Sequence, residues 1–222
     1  MIEVKKLVKT FKNGNVETHV LKGIDFVAND GEFIAIMGRS GAGKSTFLYQ
    51  MSLLDEPTSG DVLVDGHSTR EMSDTEEVLF RLQKFGYVFQ DYALLPDLTA
   101  IENVVLPLLM QNLSSEQAYK KAGSALDKVG LGKRLHNMPS QLSGGEQQRV
   151  SIARAIAHNP KVVFADEPTA NLDNESSAVI MDIFKKLHEE GQTIIMVTHE
   201  TEYAKRADKI VKFDDGKIVS IE

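Results

Sequence analysis

Gly38-Arg39-Ser40-Gly41-Ala42-Gly43-Lys44-Ser45 is the stretch whose reading decides the fold. The pattern G-x-x-x-x-G-K-[S/T] arises by chance in on the order of one per cent of chains this long at average residue usage. Its surroundings narrow it further. It follows Phe33-Ile34-Ala35-Ile36-Met37, a continuous apolar run that fits a strand buried on both faces, and it opens a helix predicted over 45–54. Glycines permit the backbone geometries that aim successive N–H groups at one anion, and a helix start adds its positive dipole end. Lys44 supplies a point charge suited to terminal phosphates, and the Ser45 hydroxyl suits a Mg²⁺ ligand. A merely flexible glycine turn would not need the Lys-Ser pair. Gly38, Arg39, Ser40, Gly41, Ala42, Gly43, Lys44, Ser45 and Thr46 are therefore candidate phosphate-binding residues.

Outward from the loop, the chain alternates in type. Ile2 to Val8 and Leu21 to Val27 read as strands flanking a turn at Lys12-Asn13-Gly14-Asn15, which predicts antiparallel sheet at the N-terminus. Phe85 to Phe89, Lys161 to Ala165 and Thr193 to Thr198 read as strands, and Val179, Ile180, Ile183, Phe184 and Leu187 recur at helical spacing up to Gly191. Strand–helix alternation implies a parallel sheet with helices on its faces. Residues 91–149 lack convincing strands and carry two or three helical patterns. The expectation is one α/β domain over 1–222: a P-loop NTPase (RecA-like) core from 1–90 and 150–222 with an N-terminal antiparallel part, and a helical subdomain inserted at about 91–149.

Val162-Val163-Phe164-Ala165-Asp166-Glu167 is an apolar strand ending in two carboxylates. Ligands of parallel sheets bind at the carboxyl ends of strands. There Asp166 can hold Mg²⁺, and Glu167 can orient and deprotonate an attacking water. An acidic pair is common on surfaces and weak by itself, so its weight comes from the phosphate loop.

Leu142-Ser143-Gly144-Gly145-Glu146-Gln147-Gln148-Arg149 is a second helix start. Ser143 and Glu146 form an S-x-x-E capping box, and the helix is predicted to run to about His158. Each glycine in that first turn weakens the helix by roughly 1 kcal/mol relative to alanine, so something should offset the cost. Exposed N–H groups at the positive helix end make a second anion site at Ser143, Gly144, Gly145 and Glu146. One phosphate loop with two phosphate-seeking helix starts suggests that the second serves another chain's nucleotide.

On these motifs the chain resembles the nucleotide-binding domain of ABC transporters from end to end. Leu142 to Gln147 matches the family signature, at a spacing from Lys44 typical of a transporter domain. The resemblance implies ATP and Mg²⁺ as cofactors, and Phe11 as the aromatic that stacks on adenine, where tyrosine is more usual. It also implies Gln90 as the glutamine contacting Mg²⁺ and the attacking water, Asn171-Leu172-Asp173 as a loop crossing a dimer interface, and His199 as the histidine at the γ-phosphate. The catalytic candidates are thus Glu167, His199 and Gln90, and the metal candidates Ser45, Gln90 and Asp166. The other five histidines show no metal-ligand spacing. Family members associate head-to-tail, each ATP lying between one chain's phosphate loop and the other's signature helix; that makes Ser143, Gly144, Gly145, Glu146 and Asp173 expected contacts in trans.

Met72 to Glu77, Tyr87 to Tyr92, Leu94-Leu95-Pro96, Leu98 to Val104 and Thr169 to Asp173 are similar to the branch holding lipoprotein-release, macrolide-efflux and cell-division ATPases. That implies an integral membrane permease as partner and a place on the cytoplasmic face of the membrane, held there by the permease. Tyr92, Leu94, Leu95 and Pro96 either fold into the helical insertion or line a groove for that permease. The rivals are a membrane signalling role of the cell-division type, a cytosolic ABC ATPase without transport, and a P-loop kinase. Repair members of the cytosolic class split their motif halves by long coiled coils and translation members fuse two domains, while a kinase gives no reason for the signature helix.

Composition bounds the rest. Net charge is −7 with both signs mixed, which argues against a nucleic-acid partner. With no cysteine there is neither disulfide nor thiolate metal site. No segment approaches the roughly 18 apolar residues of a membrane span, so no direct membrane insertion is expected, and the N-terminus reads as a strand instead of a signal peptide.

Overall fold

A computed structural model describes residues 1–14 and 16–222. Of the predicted turn, Gly14 takes a left-handed φ of 59°, as glycine can at no cost; Asn15 lies outside the described residues. On either side, β1 (Ile2–Asn13) and β2 (Val16–Ala28) pair antiparallel. Two strands not read from the sequence, β4 (Ser59–Val64) and β5 (His67–Ser68), complete this sheet in the order β2-β1-β4-β5. β4 escapes notice because its second residue is Gly60, where φ is 88° and an added Cβ would lie 2.4 Å from the Lys6 carbonyl oxygen. The chains approach too closely there for a side chain, against an irregularity in β1 between Lys5 and Val8.

The main sheet has the order β10-β9-β3-β8-β7-β6. Its strands are β3 (Phe33–Gly38), β6 (Phe85–Val88), β7 (Val162–Asp166), β8 (Thr193–Val197), β9 (Lys209–Asp214) and β10 (Lys217–Ile221). All pairings are parallel except that of the edge strand β10 with β9. Since side chains alternate between faces, consecutive apolar residues feed two separate cores. Ile34, Ile36, Phe164, Ile195 and Val197 pack with Phe47 and Phe213 on one side, while Phe33, Val163, Ile194 and Met196 pack with Phe184 and the inserted helices on the other.

Helix α1 (Lys44–Met51) follows the phosphate loop and ends earlier than read. Helix α2 (Asp74–Lys84) is not among the elements expected from the sequence; it carries a complete Ser73/Glu76 capping box and buries no residue fully. In the 91–149 stretch the structure places α3 (Ala100–Met110), α4 (Ser115–Lys128) and the start of α5 (Gly144–Ile156). Val104, Val105 and Leu108 of α3 meet Ala118, Ala122 and Leu126 of α4 and Val150 of α5 in one buried cluster. Helix α6 (Asn174–Glu189) covers the β7–β8 connection, and Gly191 after it adopts φ 90°. A short α7 (Thr201–Ala204) leads into β9.

This strand order decides the site. The carboxyl ends of β3, β8, β7 and β6 lie side by side and carry, in that order, the phosphate loop, His199, Asp166 with Glu167, and Gln90.

Candidate functional site

The phosphate loop is built by glycines with different reasons. Gly41 and Gly43 have φ of 78° and 99°, the left-handed region that lets N–H groups turn inward. Gly38 is required by packing: a Cβ there would sit 2.1 Å from the Phe213 carbonyl oxygen on β9. Lys44 is buried, and its ammonium donates to the carbonyls of Gly38 and Arg39, each at 3.0 Å. Ser45 donates from Oγ to Asp166 Oδ1 at 2.9 Å. That bond joins the loop after β3 to the end of β7, across the intervening β8. The loop opens on a cleft of ≈ 420 Å³ whose walls include Lys44, Ser45, Thr46, Gln90 and Glu167, together with Val20 of β2.

Burial raises the Asp166 carboxyl above the usual carboxylate range, and the Ser45 hydrogen bond partly offsets this. Its neighbourhood is correspondingly dry. The Tyr49 hydroxyl, pushed up to about 12, responds first to burial and then to the Asp166 charge, and Tyr87 is raised further for the same two reasons. Glu167 sits at φ 44° and its N–H donates to the Val197 carbonyl at 3.0 Å, so the chain turns off the strand with the side chain facing the cleft. His199 Nδ1 lies 3.3 Å from Glu167 Oε2. The Gln90 carbonyl accepts a hydrogen bond from Asn171 Nδ2 at 3.0 Å. Loop, two carboxylates, glutamine and histidine thus lie together at the carboxyl ends of four neighbouring strands.

Among the described residues no group of three or more His, Cys, Asp or Glu could hold a metal ion by itself. Mg²⁺ keeps several waters and binds through one or two carboxylates plus phosphate oxygens. Ser45 Oγ, which lines the cleft, and Asp166 Oδ1, bonded to it, are oxygen ligands of the right kind for that ion.

Other expected residues stand apart. Phe11 is exposed on β1, with the Lys9 ammonium 4.9 Å from its ring centroid, and does not line the cleft. The Ser143 helix start lines a different cleft of ≈ 190 Å³ with Glu146, Arg149 and Glu175. Its capping box is complete: Glu146 N–H donates to Ser143 Oγ at 3.2 Å, and Ser143 N–H to Glu146 Oε2 at 2.9 Å. That second bond is the first reason the Glu146 carboxyl is held below its usual range; Arg134, at 3.2 Å, adds to it. Asp173 likewise caps α6, accepting from Ser176 N–H at 2.8 Å and from Ser176 Oγ at 3.0 Å.

The glycine cost in the first turn of α5 has a partner inside the chain. A Cβ on Gly145 would meet Ser176 Oγ at 2.8 Å, and one on Gly144 would meet the Tyr92 hydroxyl at 3.0 Å. Of the apolar loop residues, Leu94 packs partly against the helical core while Leu95 is exposed. Sequence reasoning missed Val20 and Tyr49. Val20 has no local signal, but Tyr49 stands one helical turn after Ser45, the spacing at which two side chains share a helix face.

Comparison with known proteins adds relatives to this geometry. The family model described as ABC transporter matches residues 21–170. An uncharacterised ABC transporter ATP-binding protein of Methanocaldococcus jannaschii is 50% identical over 221 residues, spanning 100% of this chain and 99% of that protein. The lipoprotein-releasing system ATP-binding protein LolD of Aquifex aeolicus is 44% identical over 216 residues, spanning 97% of this chain and 93% of that one. Among solved structures, the ATP-binding cassette MJ0796, described as a dimer in a post-hydrolysis state bound to ADP and Pi, is similar with a TM-score of 0.93. It is 41% identical, covering 100% of this chain and 98% of that one.

Proposed function

The chain belongs to the ABC transporter family of ATPases, and on that premise we propose that it hydrolyses ATP to drive a separate membrane permease, two copies closing head-to-tail around two ATP. One observation carries this reading. The phosphate loop, Glu167 and Gln90 line one cleft, with buried Asp166 bonded to Ser45 behind it, whereas the Ser143 helix start lines another with no phosphate loop beside it. A helix start with two glycines, stripped of a phosphate in its own chain, is supplied with one by a second copy. The dimeric form named for MJ0796 supports the same arrangement.

Within each site, Lys44 neutralises the β- and γ-phosphates and the loop N–H groups hold their oxygens. Ser45 and Asp166 would hold Mg²⁺, whose charge would offset that of the transferring phosphoryl group. Glu167 accepts the proton of the attacking water, and His199, 3.3 Å away, orients it. Gln90 positions the water from the neighbouring strand end, and Phe11 stacks on adenine. ATP then acts as interfacial glue through its higher affinity for the closed dimer, and hydrolysis releases it.

The likeness to LolD supports a permease of the lipoprotein-release branch, one that transmits force across the membrane instead of carrying substrate through it. No helix among the described residues is long and apolar enough to cross a membrane; attachment to the cytoplasmic face runs through the permease.

The test is Glu167→Gln. Loss of a general base should lower turnover about 10²–10⁴-fold, and gel filtration with Mg-ATP should show a trapped dimer. A chain that stays monomeric and hydrolyses at the wild-type rate would refute both the base and the sandwich.

A further inference from the structure

Gln148 lies in the second turn of α5, fully buried. Its Nε2 donates to the Pro168 carbonyl at 2.8 Å and to the Phe89 carbonyl at 3.3 Å. Pro168 directly follows Glu167, and Phe89 directly precedes Gln90. A single side-chain amide therefore ties together the two backbone segments that carry the proposed base and the proposed water-positioning group. Those segments leave adjacent strands, β7 and β6, and no backbone hydrogen bond joins Phe89 or Gln90 to residues 167–168. The same amide leaves its Oε1 buried without a partner. Two carbonyl acceptors dictate that orientation, since only the NH₂ group can face them.

We propose that Gln148 is a positioning residue for ATP hydrolysis: it sets Gln90 and Glu167 relative to each other and makes their placement depend on α5, the helix that begins at Ser143. This rests on the two-copy reading above, in which the start of α5 engages the ATP held by the partner copy. Five residues separate Ser143 from Gln148, about 7.5 Å along the axis at 1.5 Å per residue. A shift of the helix start toward a phosphate is carried by a rigid element straight to the Gln148 amide. One chain's contact with the partner's nucleotide thereby adjusts the geometry around its own. Asn171 also ties the Gln90 carbonyl to the turn after Glu167, where Ala170 N–H donates to the Glu167 carbonyl at 3.1 Å, but it lies off α5; Arg154, on α5 and bonded to the Tyr92 carbonyl at 2.9 Å, holds only the Gln90 loop.

The experiment is a double-mutant cycle on the full chain with Gln148→Met, which keeps the bulk and removes both donors, and Gln90→Ala. Steady-state ATP hydrolysis gives kcat and KM; binding of a fluorescent ATP analogue and thermal unfolding run alongside. Misplacement of reacting groups by about 1 Å can cost on the order of 100-fold. Gln148→Met should accordingly lower kcat about 10–100-fold in the wild-type chain with KM and analogue affinity within about twofold, and under about fivefold in the Gln90→Ala chain. An equal factor in both backgrounds, or a loss seen only in KM, overturns the proposal. Gln148→Asn, which keeps the amide one methylene short, should give an intermediate kcat; if neither variant yields a folded, ATP-binding chain, Gln148 serves folding alone and the proposal fails. Adding Gln148→Met to Glu167→Gln separates the two readings. A trapped dimer alongside an additive cycle sinks only the role of Gln148, while absence of the dimer with Gln148 intact sinks the sandwich.

Discussion

Alanine at Gly145 should destabilise the chain, against the helix rule, and glycine at Ser176 should reverse the sign. In the first turn of α5 a Gly→Ala change contributes roughly 1 kcal/mol through backbone entropy. The added Cβ, however, would lie 2.8 Å from Ser176 Oγ and 2.9 Å from Ser176 Cβ, where ordinary contacts are 3.4–4 Å. Ser176 cannot simply swing away, because its Cβ is itself in the way and its hydroxyl is bonded to Asp173. The starts of α5 and α6 must separate by about half an ångström, and overpacking of that kind costs about 1–3 kcal/mol. The net is about 0–2 kcal/mol of destabilisation, or a Tm lower by up to roughly 8 °C at about 2–4 °C per kcal/mol for this chain length. With Ser176→Gly the nearest remaining Ser176 atom is Cα at 3.9 Å. The clash disappears, and Gly145→Ala should then raise Tm by roughly 2–4 °C. Thermal unfolding of the four chains without nucleotide closes the cycle, which subtracts whatever Ser176→Gly costs alone. Gly144 provides the contrast: its Cβ would meet the far end of the Tyr92 side chain at 3.0 Å and Leu172 Cδ2 at an ordinary 3.4 Å, so Gly144→Ala keeps most of the helix gain. If Gly145→Ala shifts Tm by the same amount in both Ser176 backgrounds, packing does not explain that glycine.

Asp166→Asn should raise the nucleotide-free Tm at pH 7 while abolishing hydrolysis. Burial raises this carboxyl, so its contribution to stability is fully present below the ordinary carboxylate pKa and is lost as pH rises through the higher folded value. At pH 7 the ionised group is a cost, and calorimetry should show the advantage of asparagine shrinking as pH falls toward 4; a lower Tm at pH 7 would contradict this. Leu95→Glu should leave stability within about 0.5 kcal/mol of wild type, as surface changes do, keep ATP binding, and abolish co-purification with the proposed permease. Leu94→Glu should lower Tm, because Leu94 packs on the helical core; a permease that still co-purifies with the Leu95 variant rules that loop out as the docking groove.

What could be read from the sequence follows how local each signal is. β3, β7 and β8 were legible because strands buried on both faces are continuous apolar runs, and the residues ending them declare their chemistry. β9 and β10 were missed although Asp214-Asp215-Gly216 offers a turn and Val211 and Phe213 alternate inward. α2 was missed although Ser73 and Glu76 form the same capping box that exposed α5. Neither the β9–β10 turn nor the start of α2 carries a residue with chemistry of its own. Gln148 had no signal: a glutamine inside a helix is unremarkable until β6 and β7 are known to be neighbours.

The same distinction bears on the residues assigned to the partner's ATP. Ser143 Oγ, the Glu146 carboxylate and the Asp173 carboxylate are all engaged in caps of their own helices. What a capped helix start still offers is backbone N–H groups, and those come from residues whose identity matters only for letting the ligand close. Gly144 leaves that approach open on the Tyr92 side, and Gly145 lets α6 lie against the same turn. In the proposed dimer, recognition in trans would therefore fall chiefly on the main chain of α5's first turn, with Ser143 and Glu146 holding that turn in shape and Asp173 holding the start of α6 beside it. Ser143→Ala would then act on ATP through the loss of a helix cap, about 1 kcal/mol, more than through a lost contact of its own.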